Sequence, residues 1–167
     1  IALGASVLAT AAVLFGYLLL ITWRLTGKAR PAAWMRHAAL GAALAYTSYG
    51  LVYLAASHAK SDTIRESYRS LHPVLRVAAS TLILFDGDAV LTDLARTPAD
   101  YARMHLPIQE RSLHYPQADG YVHALDLRTV GRPWWRNWLA EGYFRAMGFE
   151  TERHVGTADH LHVVLPY

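Results

Sequence analysis

The sequence predicts an α+β chain: an N-terminal transmembrane helical hairpin, then a small domain in which an antiparallel sheet is flanked by helices. Three observations carry this prediction. Residues 1–23 and 38–57 hold no charged side chain. The stretch from Tyr121 to Thr129 alternates with period two, and two further strand-like runs follow it. Between them, residues 133–148 read as a helix bounded by Pro133 and Gly148.

A membrane span needs roughly 20 apolar residues, and both uncharged runs reach that length. The first is rich in Leu, Val and Ala. The second, ALGAALAYTSYGLVYLAAS, is diluted by Ala, Gly, Ser and Thr. The loop between them, residues 24–37, carries Arg24, Lys28, Arg30 and Arg36 and no acid, a charge of +4. Short basic loops between spans stay in the cytoplasm. The expected arrangement is therefore residues 1–57 as two inner-membrane helices and residues 58–167 as an extracytoplasmic, periplasm-facing domain. Membrane lipid would surround the hairpin. Gly41, Ala45 and the tyrosines at 46, 49 and 53 would offer a surface to membrane-protein partners.

Residues 58–167 hold 12 Lys and Arg against 13 Asp and Glu, so the net +3 of the whole chain arises in the loop. A nucleic-acid-binding domain needs a basic patch; none is present here, and nucleic acid is excluded as a partner. There is no cysteine. That excludes thiolate zinc sites, redox motifs and thiol nucleophiles. A domain of this size can bury a core without disulfides.

Within the domain, Thr63 to Glu66 fits a capping box, and Ile64, Tyr68 and Leu71 recur at helical spacing until Pro73 interrupts them. VLRVAASTLILF reads as a second helix. Asp86-Gly87-Asp88 is a turn signal that lacks the other ligands of a calcium loop. Thr97-Pro98 opens a helix over PADYARMHL. In the 121–129 strand, Val122, Ala124 and Asp126 share one face, and His123 lies on the other. The 133–148 helix presents Trp135, Trp138, Leu139, Tyr143, Ala146 and Met147 as its expected core stripe. FETERHV and HLHVVLP are strands joined by the turn GTAD.

Five of the nine histidines lie between positions 114 and 162. His160 and His162 are two residues apart on a strand, so they project together. Alone, that pair is a weak signal. His114 and Asp126 strengthen it, because two imidazoles and a carboxylate with an open fourth position are the donor set of a catalytic zinc site. Zinc lowers the pKa of its water toward ~7 and so supplies a nucleophile at neutral pH.

The runs Ser112-Leu113-His114-Tyr115, Ala124-Leu125-Asp126-Leu127, Gly148-Phe149 and Asp159-His160-Leu161-His162-Val163 resemble one zinc D,D-peptidase superfamily. It groups D-Ala-D-Ala carboxypeptidases, penicillin-insensitive murein endopeptidases, lysostaphin-type enzymes and the hedgehog signalling domain. The resemblance covers the motifs of the last third of the chain. It implies zinc ligation by His114, Asp126 and His162. It also implies an acid at Asp159, where the family usually has Glu, and assistance to catalysis from His160. More residues separate His114 from Asp126 than in the family, an insertion around PQADGYVH. Asp119 and His123 therefore stand as alternatives to His114.

The resemblance implies a membrane-anchored zinc metallopeptidase that hydrolyses peptide bonds of peptidoglycan, as a D,D-carboxypeptidase or an endopeptidase. Its partners would be stem peptides or cross-links, with Arg111 and Arg128 as candidates to meet a substrate carboxylate. Two other readings stand beside it: a non-catalytic metal-binding recognition domain, and an accessory structural subunit of a larger membrane complex.

Overall fold

The computed structural model describes residues 12, 15–17, 19–27, 33–103, 105, 107, 111–156 and 159–166. Most of the first expected span, part of the basic loop, and Thr157 and Ala158 of the GTAD turn lie outside the described residues. Helix α1 runs Ala33–Val52, α2 Asp62–Ser67, α3 Pro73–Phe85, α4 Pro98–Arg103 and α5 Trp134–Ala146. The strands are β1 Leu91–Asp93, β2 Ala124–Arg128, β3 Glu150–His154 and β4 His160–Val164.

The hairpin expectation is overturned. Among the described residues no helix is long and apolar enough to cross a membrane. The physical reason is visible in α1, which covers most of the second expected span. Its small and hydroxylated residues dilute its apolarity, and its C-terminal half packs on α3. Tyr46 Oη donates to the Ser80 carbonyl at 2.6 Å, and the Arg76 guanidinium donates to the Leu51 carbonyl. Gly50 is buried so close to α3 that an added Cβ would lie 2.9 Å from Ser80 Cβ and Oγ. Leu54, just beyond the helix, belongs to the core. The expectation of an inner-membrane chain with an extracytoplasmic domain rested on that hairpin and falls with it.

The α+β architecture of the rest stands. The sheet has the order β1-β2-β4-β3, with every pair antiparallel. One face carries Leu125, Leu127, Leu161 and Val163, which join Leu75, Ala78, Leu82 and Phe144 of α3 and α5 in the core. Burial of these aliphatic side chains is the main stabilising term, about 1.5–3 kcal/mol for each large one. Pro73 fits the first turn of α3, where its missing N–H would have no intrahelical partner anyway.

α5 forms where expected and keeps Met147 and Tyr143 of the expected stripe at the core, but buries Asn137, Ala140 and Phe144 in place of the rest. Asn137, Ala140, Phe144 and Met147 face the sheet, while Trp135, Trp138 and Leu139 are exposed. The expectation grouped apolar residues at helical spacing. The sheet instead accepts the stripe whose small member, Ala140, lets the helix approach, and Asn137 satisfies its amide nitrogen on the Thr129 carbonyl at 3.0 Å. β1 was not expected; it is three residues long, too short for its periodicity to stand out.

Candidate metal centre

The register of the sheet assembles the site. Asp126 of β2 lies opposite His162 of β4, and His162 lies opposite Glu152 of β3. Direct cross-strand partners share a face, so these three side chains form one row on the face away from the core. His160, two residues before His162, starts a second row with His154 of β3. The two rows line a cleft of about 700 Å³ together with Arg96, Tyr101, Arg111 and His114.

His114 reaches this face from a turn pinned on both sides. The Leu113 carbonyl accepts from His123 N at 2.9 Å, and the His114 carbonyl accepts from Arg96 N at 2.9 Å. The insertion between His114 and Asp126 closes on itself. Pro116 bridges Val122, Gln117 N donates to the Tyr121 carbonyl at 2.8 Å, and Gly120 N donates to the Gln117 carbonyl at 2.8 Å. Gly120 has φ 80°, which glycine adopts without a steric penalty. Pro116, Ala118, Asp119 and Gly120 of this loop are exposed, while His114 is buried.

The described residues contain two groups of His and Asp side chains that could hold a metal ion. One is His114, Asp126 and His162. His162 Nδ1 is 2.7 Å from Asp126 Oδ1, and His114 Nε2 is 3.4 Å from the same oxygen. His114 and Asp126 are buried, each 3% exposed, and His162 opens onto the cleft. The alternatives Asp119 and His123 are not part of this group; they belong to the second one, with His72. His160 stands at the edge, with Nε2 3.7 Å from Asp126 Oδ2, and its ring stacks on that of His154 with centroids 4.7 Å apart. Asp159 does not line the cleft. Its Oδ1 accepts from Gly156 N, closing the β3–β4 turn.

The donor chemistry fits a cation. His114 Nδ1 lies 2.5 Å from the Leu94 carbonyl oxygen. A carbonyl only accepts, so that nitrogen carries the ring proton and Nε2 of the neutral ring is left with a lone pair. This lone pair faces a carboxylate oxygen. Two acceptors in that relation need positive charge between them, either a second proton on the ring or a metal ion.

The surrounding charges point the same way. Arg96 donates to Asp93 Oδ2 at 2.6 Å and to Asp126 Oδ2 at 3.1 Å. Two carboxylates share one guanidinium, which leaves a net negative charge beside the imidazoles. Burial alone would raise the Asp126 pKa; the His114 and His162 imidazoles outweigh it and hold the carboxyl well below the usual carboxylate range. The carboxylate is therefore ionised, the form that ligates.

Arg96, Glu152 and His154 were not among the expected site residues. Glu152 and His154 carried a usable signal, because their i, i+2 spacing in FETERHV matches that of His160 and His162. Arg96 carried none; its role depends on Asp93 and Asp126, which the chain places 3 and 30 residues away. No family model matches this chain, and no match was found among the curated proteins or the solved structures.

Proposed function

We propose that the cleft is the active site of a zinc-dependent peptidase, with the stem peptides or cross-links of peptidoglycan as its substrates. The observation that carries this reading is the His114 Nε2 lone pair turned toward the Asp126 carboxylate beside His162. Zinc is the metal proposed because two imidazoles and one carboxylate suit it and leave a position open for substrate. The peptide substrate follows from the motif resemblance.

His114, Asp126 and His162 would hold the ion, which supplies Lewis acidity toward an amide carbonyl and its attacking water. Arg96 fixes the Asp126 carboxylate by occupying Oδ2. His160 faces the cleft from the same strand as His162 and has its ring plane set by His154. In this reading it would accept a proton at its ring from the attacking water and return it to the leaving amine. Arg111 at the rim offers a cation to a substrate carboxylate.

One observation favours a second reading, a metal-holding recognition domain without catalysis. Asp159, the position of the family's acid, is engaged in its turn. Incubating the zinc-loaded chain with purified peptidoglycan and identifying released products by mass spectrometry separates the two. Released D-Ala or split cross-bridges, absent with His162→Ala, supports the peptidase. Stoichiometric zinc and retained binding to wall fragments, without product, overturns it in favour of recognition.

A further inference from the structure

The second group of possible ligands lies outside the cleft and plays no part in the reading above. Asp119 Oδ2 is 2.8 Å from His123 Nε2 and 3.7 Å from His72 Nε2, and the three ligand atoms all lie within 4.8 Å of one another. They come from three separate places: the residue before α3, the tip of the insertion, and the residue before β2.

Backbone bonds hold all three in register. His72 N donates to the Val122 carbonyl at 2.9 Å, and Val122 N donates to the Ser70 carbonyl at 2.8 Å. Asp119 Oδ1 accepts from Tyr121 N at 3.0 Å, which turns Oδ2 toward the two imidazoles. The His72 and His123 rings stand edge-on with centroids 5.1 Å apart. Both rings are sheltered and the carboxylate lies at the rim, with side-chain exposures of 19%, 10% and 41% for His72, His123 and Asp119. The group is thus preassembled yet open to solvent on one side.

We propose that His72, Asp119 and His123 form a second, weaker metal-ion site for a divalent cation of the zinc class. Imidazole and carboxylate together are the donors such ions take.

The weakness follows from the ring proton. His72 Nδ1 accepts from Val74 N at 3.2 Å and so caps α3. Its neutral ring therefore carries the proton on Nε2, the reverse of His114. Binding a cation at Nε2 moves that proton to Nδ1 and gives up the cap. Loss of a cap of ordinary strength lowers affinity about fivefold. Occupancy would tie the insertion that follows His114 to the start of α3.

Zinc titration of the whole chain by equilibrium dialysis tests this. Two equivalents of unequal affinity are expected. Asp119→Asn, which keeps the oxygen that accepts from Tyr121 N, should lose only the weaker one, and His162→Ala only the tighter one. Long-range ¹⁵N–¹H spectra of the histidine rings should show His72 passing from the Nε2–H to the Nδ1–H form at saturating zinc. A single equivalent in the unaltered chain overturns the proposal. So does a second equivalent that survives both Asp119→Asn and His72→Ala. The ring spectrum requires no variant, so an unchanged His72 at saturating zinc also overturns it. Failure of peptidase activity alone would leave all these readouts standing.

Discussion

The Nδ1 atom of His114 lies 2.5 Å from the backbone carbonyl oxygen of Leu94. This contact decides which nitrogen of a buried imidazole is free to bind a metal. Ligating histidines commonly donate their other ring N–H to a carbonyl or carboxylate, which sets tautomer and orientation. His72 caps an N–H with the same ring atom and is set the opposite way. The two groups differ in the partner of one nitrogen each, and their affinities should rank accordingly.

Arg96 should matter to the metal without touching it. It shares its guanidinium between Asp93 and Asp126. Arg96→Met is expected to weaken binding at the tighter site about 10–100-fold, the usual effect of losing a group that orients a ligand. It should also destabilise the metal-free chain by about 1–3 kcal/mol, because a buried carboxylate loses one of its partners while keeping His162. Zinc titration and denaturant unfolding in chelator measure the two separately. Unchanged affinity would show that Asp126 needs no orienting partner.

His160 and Asp159 should separate in kinetics. A positioned acid–base group contributes about 10²–10⁴-fold in rate. His160→Ala is expected to lose that much of kcat on a peptidoglycan fragment with zinc still bound. Asp159→Asn keeps an oxygen for Gly156 N and should stay within about threefold of the unaltered chain. The reverse ranking would return the acid role to Asp159.

Two glycines of α1 should respond in opposite directions. Gly41 has no atom within 4 Å of a built Cβ, so Gly41→Ala should stabilise the chain by about 0.5–1 kcal/mol through helix propensity. Gly50 meets Ser80 at 2.9 Å. Gly50→Val forces α1 from α3 and should cost about 1–3 kcal/mol. Thermal unfolding checks both. Equal responses would mean that α1 does not pack on the domain.

The alkaline limit of stability should be set in part by Tyr68. Its hydroxyl lies 2.8 Å from the Gly50 carbonyl, 3.0 Å from the Arg76 carbonyl and 2.9 Å from Ser80 Oγ. Burial pushes its pKa up to about 12 from 10. The folded state therefore holds this proton more tightly than the unfolded state. The associated stability, on the order of 3 kcal/mol for a shift of that size, is full below pH 10. It is lost as the pH rises from 10 through about 12. Denaturant midpoints measured across that range should fall, and Tyr68→Phe should flatten the fall while lowering stability at pH 8.

The local elements of the domain were legible because their signals are local. Pro73 separates two helices, Pro133 marks a helix start, Gly148 follows a helix end, and the two-residue alternation around Asp126 and His162 marks strands. The same alternation placed His160 beside His162, whereas the pairing of His114 with Asp126 was an expectation from the motif resemblance, across a longer separation. Hydropathy misled at α1. Uncharged length reads alike for a membrane span and for a helix packed on a core, and only the contacts of Gly50, Leu51 and Tyr46 with α3 tell them apart.

What the sequence by itself determined is the donor set: histidines and aspartates with strand spacing, no cysteine, and a near-neutral domain. The tertiary structure decided which donors meet. β1 and β2 bring Asp93 and Asp126 to one guanidinium, and the cross-strand register sets Glu152 and His154 beside His162 and His160. The insertion folds outward and takes Asp119 and His123 to His72. The choice of tautomer came last, because it depends on whether a ring nitrogen meets a carbonyl or an N–H. Those backbone groups come from Leu94 and Val74, and nothing in the side-chain pattern reveals them before the chain has folded.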